Sequence, residues 1–291
     1  MSSEPAPTAD PASLGALEAD WAGACARIVA GQRELLEAAP GIADRTVYEG
    51  RGEGGDRSLA IDRRAEDIAF SELEALHADG HEFTAVSEER GTVRFGDGTS
   101  PVLVVIDPID GSLNARRTIP SHAFSLAVAS GPTMADVEFG YVYDFGASEA
   151  FAATRGGGAT LDGRPLRAEG PGYGLEVVGV ESAKPERILP MLEELAGKAF
   201  RLRVVGSIAI AVSYVGAGRF DAMVTARACR SVDAAAAQLV AREAGAALEF
   251  PGFEELRAPL DLDARYHVTA ALDQEMLTTL RAVQAHAPPA Q

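Results

Sequence analysis

Cysteine is nearly absent from this sequence. The 291 residues include two, Cys25 and Cys229, too few for a disulfide framework or a cysteine zinc site. Both read as small buried or half-buried thiols. Lysine is equally scarce: of 26 basic residues only Lys184 and Lys198 are lysine, and arginine supplies the rest. No apolar run approaches the roughly 20 residues that span a bilayer. The opening "MSSEPAPTADPAS" lacks the basic start and apolar segment of a secretory signal. Residues 1–13 are therefore expected to form a disordered tail, and the protein is expected in the cytoplasm. No internal repeat is present. Gly156-Gly157-Gly158 is not followed by Lys-Ser/Thr, so it reads as a hairpin turn and not as a nucleotide phosphate loop.

Positive charge is the larger deficit. Forty-three acidic residues against 26 basic ones leave a formal charge of −17. Such a field repels phosphate backbones, which excludes nucleic acid and anionic membrane as expected partners. An anionic substrate would need local positive charge, from arginines or metal ions. Hydrophobic residues at 47% and charged residues at 24% suit an ordinary globular protein.

Two kinds of pattern divide the chain. Residues 14–39 carry Leu14, Leu17, Trp21, Ala24, Ile28 and Leu35 at helical spacing, stopped by Pro40-Gly41. "YEGRGEGGDRS", 48–58, reads as a mobile glycine-rich loop, and a second helix is expected from about Asp62. Strands then follow: "EFTAVSEE", "PVLVVID", "HAFSLAVA", "VEFGYVYDF" and the hairpin in "EAFAATRGGGATLDGRPL". After the break at "EGPGYG", strands and helices alternate, with "LEVVGV", "RLRVV" and "RFDAMVTA" as strands. Helices are expected over 185–197, in "SIAIAVSYVGAG" and over 233–246, with Gly245 as a stop. A strand near 267–272 and a final helix close the chain. This order predicts a layered α/β (α+β) fold, with one lobe over 14–173 and a second over 174–287.

The chemistry gathers at acidic element ends. Asp107 and Asp110 close the apolar strand Val102–Ile106, and two carboxylates there are costly without a cation between them. Glu88 and Glu89 follow the preceding strand; Asp62 and Asp233 stand at helix starts. Each alone has a plain explanation: a helix cap, a solvated pair or a tight turn. Together they suit hard divalent cations, which take oxygen ligands and, when paired, need a bridging carboxylate. The Ile109 carbonyl belongs to the same turn. Gly111-Ser112 opens a short helix whose free N–H groups suit a phosphate.

"DPIDGSLN" resembles the DPxDGTxN signature of the inositol monophosphatase superfamily, with Ser112 in place of threonine. "SEE" at 87–89 resembles its GEE element, "LAIDRRAED" its V-T-x-x-D-x-x-x-E element, and "SVDAAAAQLVAREAGA" its WDxAAGxxLxxEAGG element. The four occur in family order. "YDFGASEAF", "GGGATLDGRPL" and "GRFDAMVTARACRSVD" resemble the archaeal-type inositol monophosphatase / fructose-1,6-bisphosphatase branch. The resemblance implies a five-layer αβαβα sandwich, a homodimer, and Mg²⁺, two to three ions per site with Mn²⁺ as the alternative. Glu88, Asp107 and the Ile109 carbonyl would hold one ion; Asp107, Asp110 and Asp233 a second; a third would sit near Glu88 and the 48–58 loop. Gly111 and Ser112 would bind phosphate. Asp62, Ser112 and Glu88 are the implied catalytic set, with Asp62 and the Ser112 hydroxyl activating water. The implied reaction is in-line hydrolysis without a phosphoenzyme.

The expected substrate is a small sugar phosphate, fructose 1,6-bisphosphate or inositol 1-phosphate. Inositol-selective members carry a glutamate seven residues before the last metal aspartate; Ala226 stands there, flanked by Arg227 and Arg230. Arginine is the natural bidentate partner of a second phosphate, though both could instead pair with nearby carboxylates. Substrate contacts are expected from Asp110, Arg227, Arg230 and Ser207. Two alternatives stay open: a 3′-phosphoadenosine 5′-phosphate nucleotidase and a catalytically silent metal-binding regulatory relative.

Overall fold

Asp20 decides how the first helix begins. The computed structural model describes residues 11–51, 57–181 and 184–287. The expected continuous helix over 14–39 is broken in two. A 3-10 helix covers Pro11–Glu18, and α1 (Trp21–Ala38) starts afresh. The Asp20 side chain accepts from Gly23 N at 2.9 Å, an N-cap in mid-pattern that apolar spacing does not reveal. Trp21 Nε1 donates to Ala16 O at 2.8 Å and ties the pieces together. Of the expected tail 1–13, residues 1–10 lie outside the described residues. A four-residue helix, α2 (Ile42–Arg45), follows. Of the expected loop 48–58, residues 52–56 lie outside the described residues. Its flanks, β1 (Tyr48–Arg51) and β2 (Arg57–Leu59), pair antiparallel. Next comes α3 (Ala60–Ala78), with Asp62 in its first turn.

The first large sheet comes from residues 83–166. It contains β3 (Phe83–Ser87), β4 (Gly91–Phe95), β5 (Leu103–Asp110), β6 (Ala123–Ala129), β7 (Val137–Asp144), β8 (Glu149–Thr154), β9 (Gly158–Leu161) and β10 (Arg164–Leu166). A short helix, α4 (Ser112–Arg116), lies between β5 and β6. The strand order is β10-β9-β8-β7-β6-β5-β3-β4, with β3 and β5 parallel and every other neighbour antiparallel. The second sheet comes from residues 177–271. Its order is β12 (Arg201–Arg203), β11 (Val177–Glu181), β13 (Ala222–Thr225), β15 (Thr269–Ala271), β14 (Ala247–Glu249). Helices α5 (Pro185–Leu195), α6 (Ile208–Gly216), α7 (Ser231–Glu243) and α8 (Gln274–Gln284) accompany it.

Three apolar interfaces stack these elements in five layers. Helices α1 and α3 cover one face of the large sheet, where Trp21, Phe70 and Leu73 meet Phe124, Leu126 and Val128. Helices α6 and α7 fill the space between the sheets. Helices α5 and α8 cover the outer face of the second sheet through Met191, Leu277 and Leu280. The pleat sorts β6 cleanly: Phe124, Leu126 and Val128 face α1 and α3, while Ala123, Ala127 and Ala129 face the middle layer. Small residues on that side let α7 lie close. A Cβ at Gly140 on β7 would stand 2.6 Å from the Ala236 carbonyl oxygen. The alanines 234–237 are buried there in turn. This close seat fixes where the first turn of α7 points.

Candidate active site

A regular strand cannot place residues 107 and 110 on one face, because three is an odd spacing in a period of two. The β5–β6 ladder solves this with a bulge. Asp107 lies opposite Ser125 and Asp110 opposite Ala123, so three steps on β5 match two on β6. Pro108, inside the bulge, has no N–H to lose, and its carbonyl accepts from Gln32 Nε2 at 3.2 Å. Ile109 N donates to Asp107 Oδ1 at 3.0 Å. Gly111 then turns the chain at φ 85° into α4. A side chain there would meet the Gly206 carbonyl oxygen at 2.9 Å.

The middle layer completes the group. Asp233 is not the N-cap of α7 but its third helical residue, and its Oδ2 accepts from Arg230 N at 2.8 Å. Carboxylate oxygens of Asp107, Asp110 and Asp233 lie within 4.8 Å of one another. Asp107 and Asp110 are 5% and 7% exposed, and Asp233 is half-buried. Burial pushes the Asp107 carboxyl well above the ordinary range, and Asp110, Glu88 and Asp233 push it further. Burial likewise raises Asp110 to about 7, against the pull of hydrogen bonds from Ser207 and Ala209, with Glu181 and Glu88 adding repulsion. Asp233 rises to about 7 through burial and then Asp110.

An acidic cleft of about 220 Å³ opens beside this group, lined by Asp62, Glu88, Glu89, Asp107, Pro108, Ile109 and Ser112. Glu89 Oε2 is buried there and accepts no hydrogen bond among the described residues. Oxygen donors alone, mutual repulsion and an orphaned carboxylate oxygen fit a hard divalent cation, and they do not fit a thiolate- or imidazole-loving metal. His77 and His81, spaced like a metal pair, do not form one. Helix α3 ends at Ala78, and His77 Nδ1 lies 3.0 Å from the His81 carbonyl oxygen.

The expected substrate contacts separate. Ser207 caps α6 and is 1% exposed. Its hydroxyl donates to Asp110 Oδ2 at 2.5 Å and accepts from Ile210 N at 3.2 Å. It therefore lies beneath Asp110 as a support. Arg230 Nη1 donates to Glu88, the carboxylate pairing left open above. Arg227 is exposed and lines a second pocket with Glu88, Arg230, Asp233 and Arg265. Ala226 is buried.

Three supporting residues escaped sequence reasoning. Asn114 Nδ2 donates to Ser121 O and Val205 O, both at 2.7 Å, and so joins the Gly111 turn to the 204–206 loop. Glu181 closes β11 and accepts from Val205 N at 2.9 Å and Gly206 N at 2.8 Å. Gly140 sets the height of α7. Asn114 and Glu181 left a signal, the asparagine closing "DPIDGSLN" and an acid closing the apolar run "LEVVGVE"; Gly140 left none.

The sequence model of the inositol monophosphatase family matches residues 22–286. A protein of Methanocaldococcus jannaschii named fructose-1,6-bisphosphatase/inositol-1-monophosphatase is 32% identical over 238 residues, covering 81% of this chain and 88% of its own. An inositol-1-monophosphatase of Mesorhizobium japonicum is 33% identical over 199 residues, covering 66% of this chain and 71% of its own. A crystal structure of an inositol monophosphatase-fructose 1,6 bisphosphatase superposes with a TM-score of 0.77 at 28% identity, covering 91% of this chain and all of that one.

Proposed function

The chain belongs to the inositol monophosphatase family, in its archaeal-type branch, and on that premise we propose that it is a Mg²⁺-dependent phosphatase of fructose 1,6-bisphosphate and inositol 1-phosphate. Phosphoric monoester hydrolysis follows from the family. The metal, the substrate and the residue roles are our reading. One observation carries it: the β5 bulge turns Asp107 and Asp110 to one side, where α7 delivers Asp233.

Glu88, Asp107, Asp110, Asp233 and the Ile109 carbonyl would hold two ions, with a third weaker one near Glu88. When bound, the ions supply charge neutralisation at the phosphoryl group and the leaving oxygen, and lower the pKa of water. The chain's own groups do the rest. Asp62 and the Ser112 hydroxyl, both on the acidic cleft, orient the attacking water and take its proton. The N–H groups of Gly111 and Ser112 receive the phosphate oxygens. Arg227 and Arg230 receive a second phosphate, which favours the bisphosphate. The lobe over 174–287 thus completes a site begun in the lobe over 14–173, within a homodimer.

The test is phosphate release from fructose 1,6-bisphosphate, inositol 1-phosphate and 3′-phosphoadenosine 5′-phosphate, with Mg²⁺ and with chelator. Turnover of the first two only with Mg²⁺ is expected. A preference for the nucleotide would replace the sugar-phosphate reading. No turnover of any would favour a silent relative.

A further inference from the structure

Glu88 stands between two cavities of opposite character. It lines the acidic cleft with Asp62, Glu89 and Asp107, and it also lines a pocket of about 160 Å³ with Arg227, Arg230, Asp233 and Arg265. Arg230, on the second pocket, joins Glu88 to Asp233. Its side chain donates to Glu88 Oε1, and its backbone N–H donates to Asp233 Oδ2. The Arg230 side chain is 15% exposed and that of Glu88 32%, so the guanidinium is mostly covered while the carboxylate stays open to an incoming cation. Arg265 is held differently, with its guanidinium on the carbonyls of Leu262 and Ala264.

We infer that Arg230 is a displaceable internal counter-ion. It neutralises Glu88 while the acidic cleft holds no cation. When a divalent cation takes Glu88, the guanidinium lets go and turns to the arginine-lined pocket, where it meets an anionic substrate group beside Arg227. This rests on the reading of Glu88 as a metal ligand. Two cations compete for one carboxylate. A guanidinium and a divalent cation on one carboxylate repel each other, and the more concentrated charge wins the oxygen. The exchange leaves no charge stranded: Glu88 keeps a cation, and Arg230 gains an anion. Cation and anion binding are then coupled by the same factor in both directions.

Mg²⁺ titration calorimetry on the full chain, without substrate, tests this. Arg230→Gln removes the competitor and is expected to tighten Mg²⁺ binding about tenfold, the worth of one charge-assisted bond. Arg227→Gln removes the same charge from the same pocket without touching Glu88, and a gain of less than about threefold is expected. Arg230→Lys keeps a cation but loses the planar fork, so a gain between the two is expected even should the glutamine variant fail to fold. The inference is overturned when neither Arg230 variant binds Mg²⁺ more tightly than wild type, or when Arg227→Gln gains as much as Arg230→Gln. Absence of Mg²⁺ binding in the wild type overturns the metal reading and this inference together. Binding in the wild type without a gain in the Arg230 variants overturns this inference alone.

Discussion

Three strands of this molecule, β5, β7 and β11, end in buried acids, and the fates of those on β11 and β5 differ. On β11, Glu181 is fully buried, and each of its oxygens accepts a backbone N–H. On β5, Asp110 takes both of its donors, Ser207 Oγ and Ala209 N, on a single oxygen. Asp107 takes one N–H, and its remaining company is carboxylate. Glu181 and Asp110 are both raised to about 7, burial being the first cause in each. The shift alone therefore does not tell a structural acid from a ligand. The distribution of donors differs: Glu181 is a filled staple for the 204–206 loop, whereas the β5 pair and Asp233 keep carboxylate oxygens within 4.8 Å of one another, a set that a cation could complete.

The sharpest way to separate them is substitution. Asp107→Asn is expected to lower phosphatase kcat about 10²–10³-fold, while the metal-free protein melts no lower, because a repelling charge has gone. Gly140→Ala is expected to destabilise by about 1–3 kcal/mol in denaturant titration. Its methyl group pushes α7, and so Asp233, away from β5, which weakens Mg²⁺ binding and leaves the end of β11 untouched. Glu181→Gln turns one acceptor into a donor and orphans a buried N–H. A loss of about 1–2 kcal/mol in stability is expected, with a smaller loss of kcat than for Asp107→Asn.

The pH dependence divides the two groups more finely. Asp110, Asp233 and Glu181 hold their protons to about 7 in the folded metal-free chain, against about 4 when unfolded. The folded state thus binds more protons across that window, and stability falls as pH rises from about 4 to about 7. Thermal melts in chelator should show this slope. Saturating Mg²⁺ should remove the share of Asp110 and Asp233. The residual slope should shrink in Glu181→Gln, leaving the share of Glu66, which burial also raises.

The acidic set was legible because each member sits in a short local motif: "SEE", "DPIDGS", "SVDAAAA". The layered fold was legible from the shift between strand and helix periods. What stayed hidden depends on contacts between distant segments or on caps. Asp20 interrupts an apolar repeat that continues on both sides of it. The edge strand β14 is three residues long and half-exposed throughout, so it showed no alternation, and β4 alternates over five residues only. Gly140 acquires its meaning only when Ala236 approaches it. Arg230 pairs with a glutamate 142 positions away, which no spacing in the sequence announces.

We propose that the carboxylates at the end of β5 hold a divalent cation for phosphate hydrolysis. The most direct test is the Mg²⁺ dependence of phosphate release from fructose 1,6-bisphosphate by wild type and Asp107→Asn. Saturable activation of the wild type by Mg²⁺, abolished by chelator, is expected, with little or none in the variant. Equal turnover by the two proteins, or turnover indifferent to chelator, would contradict it.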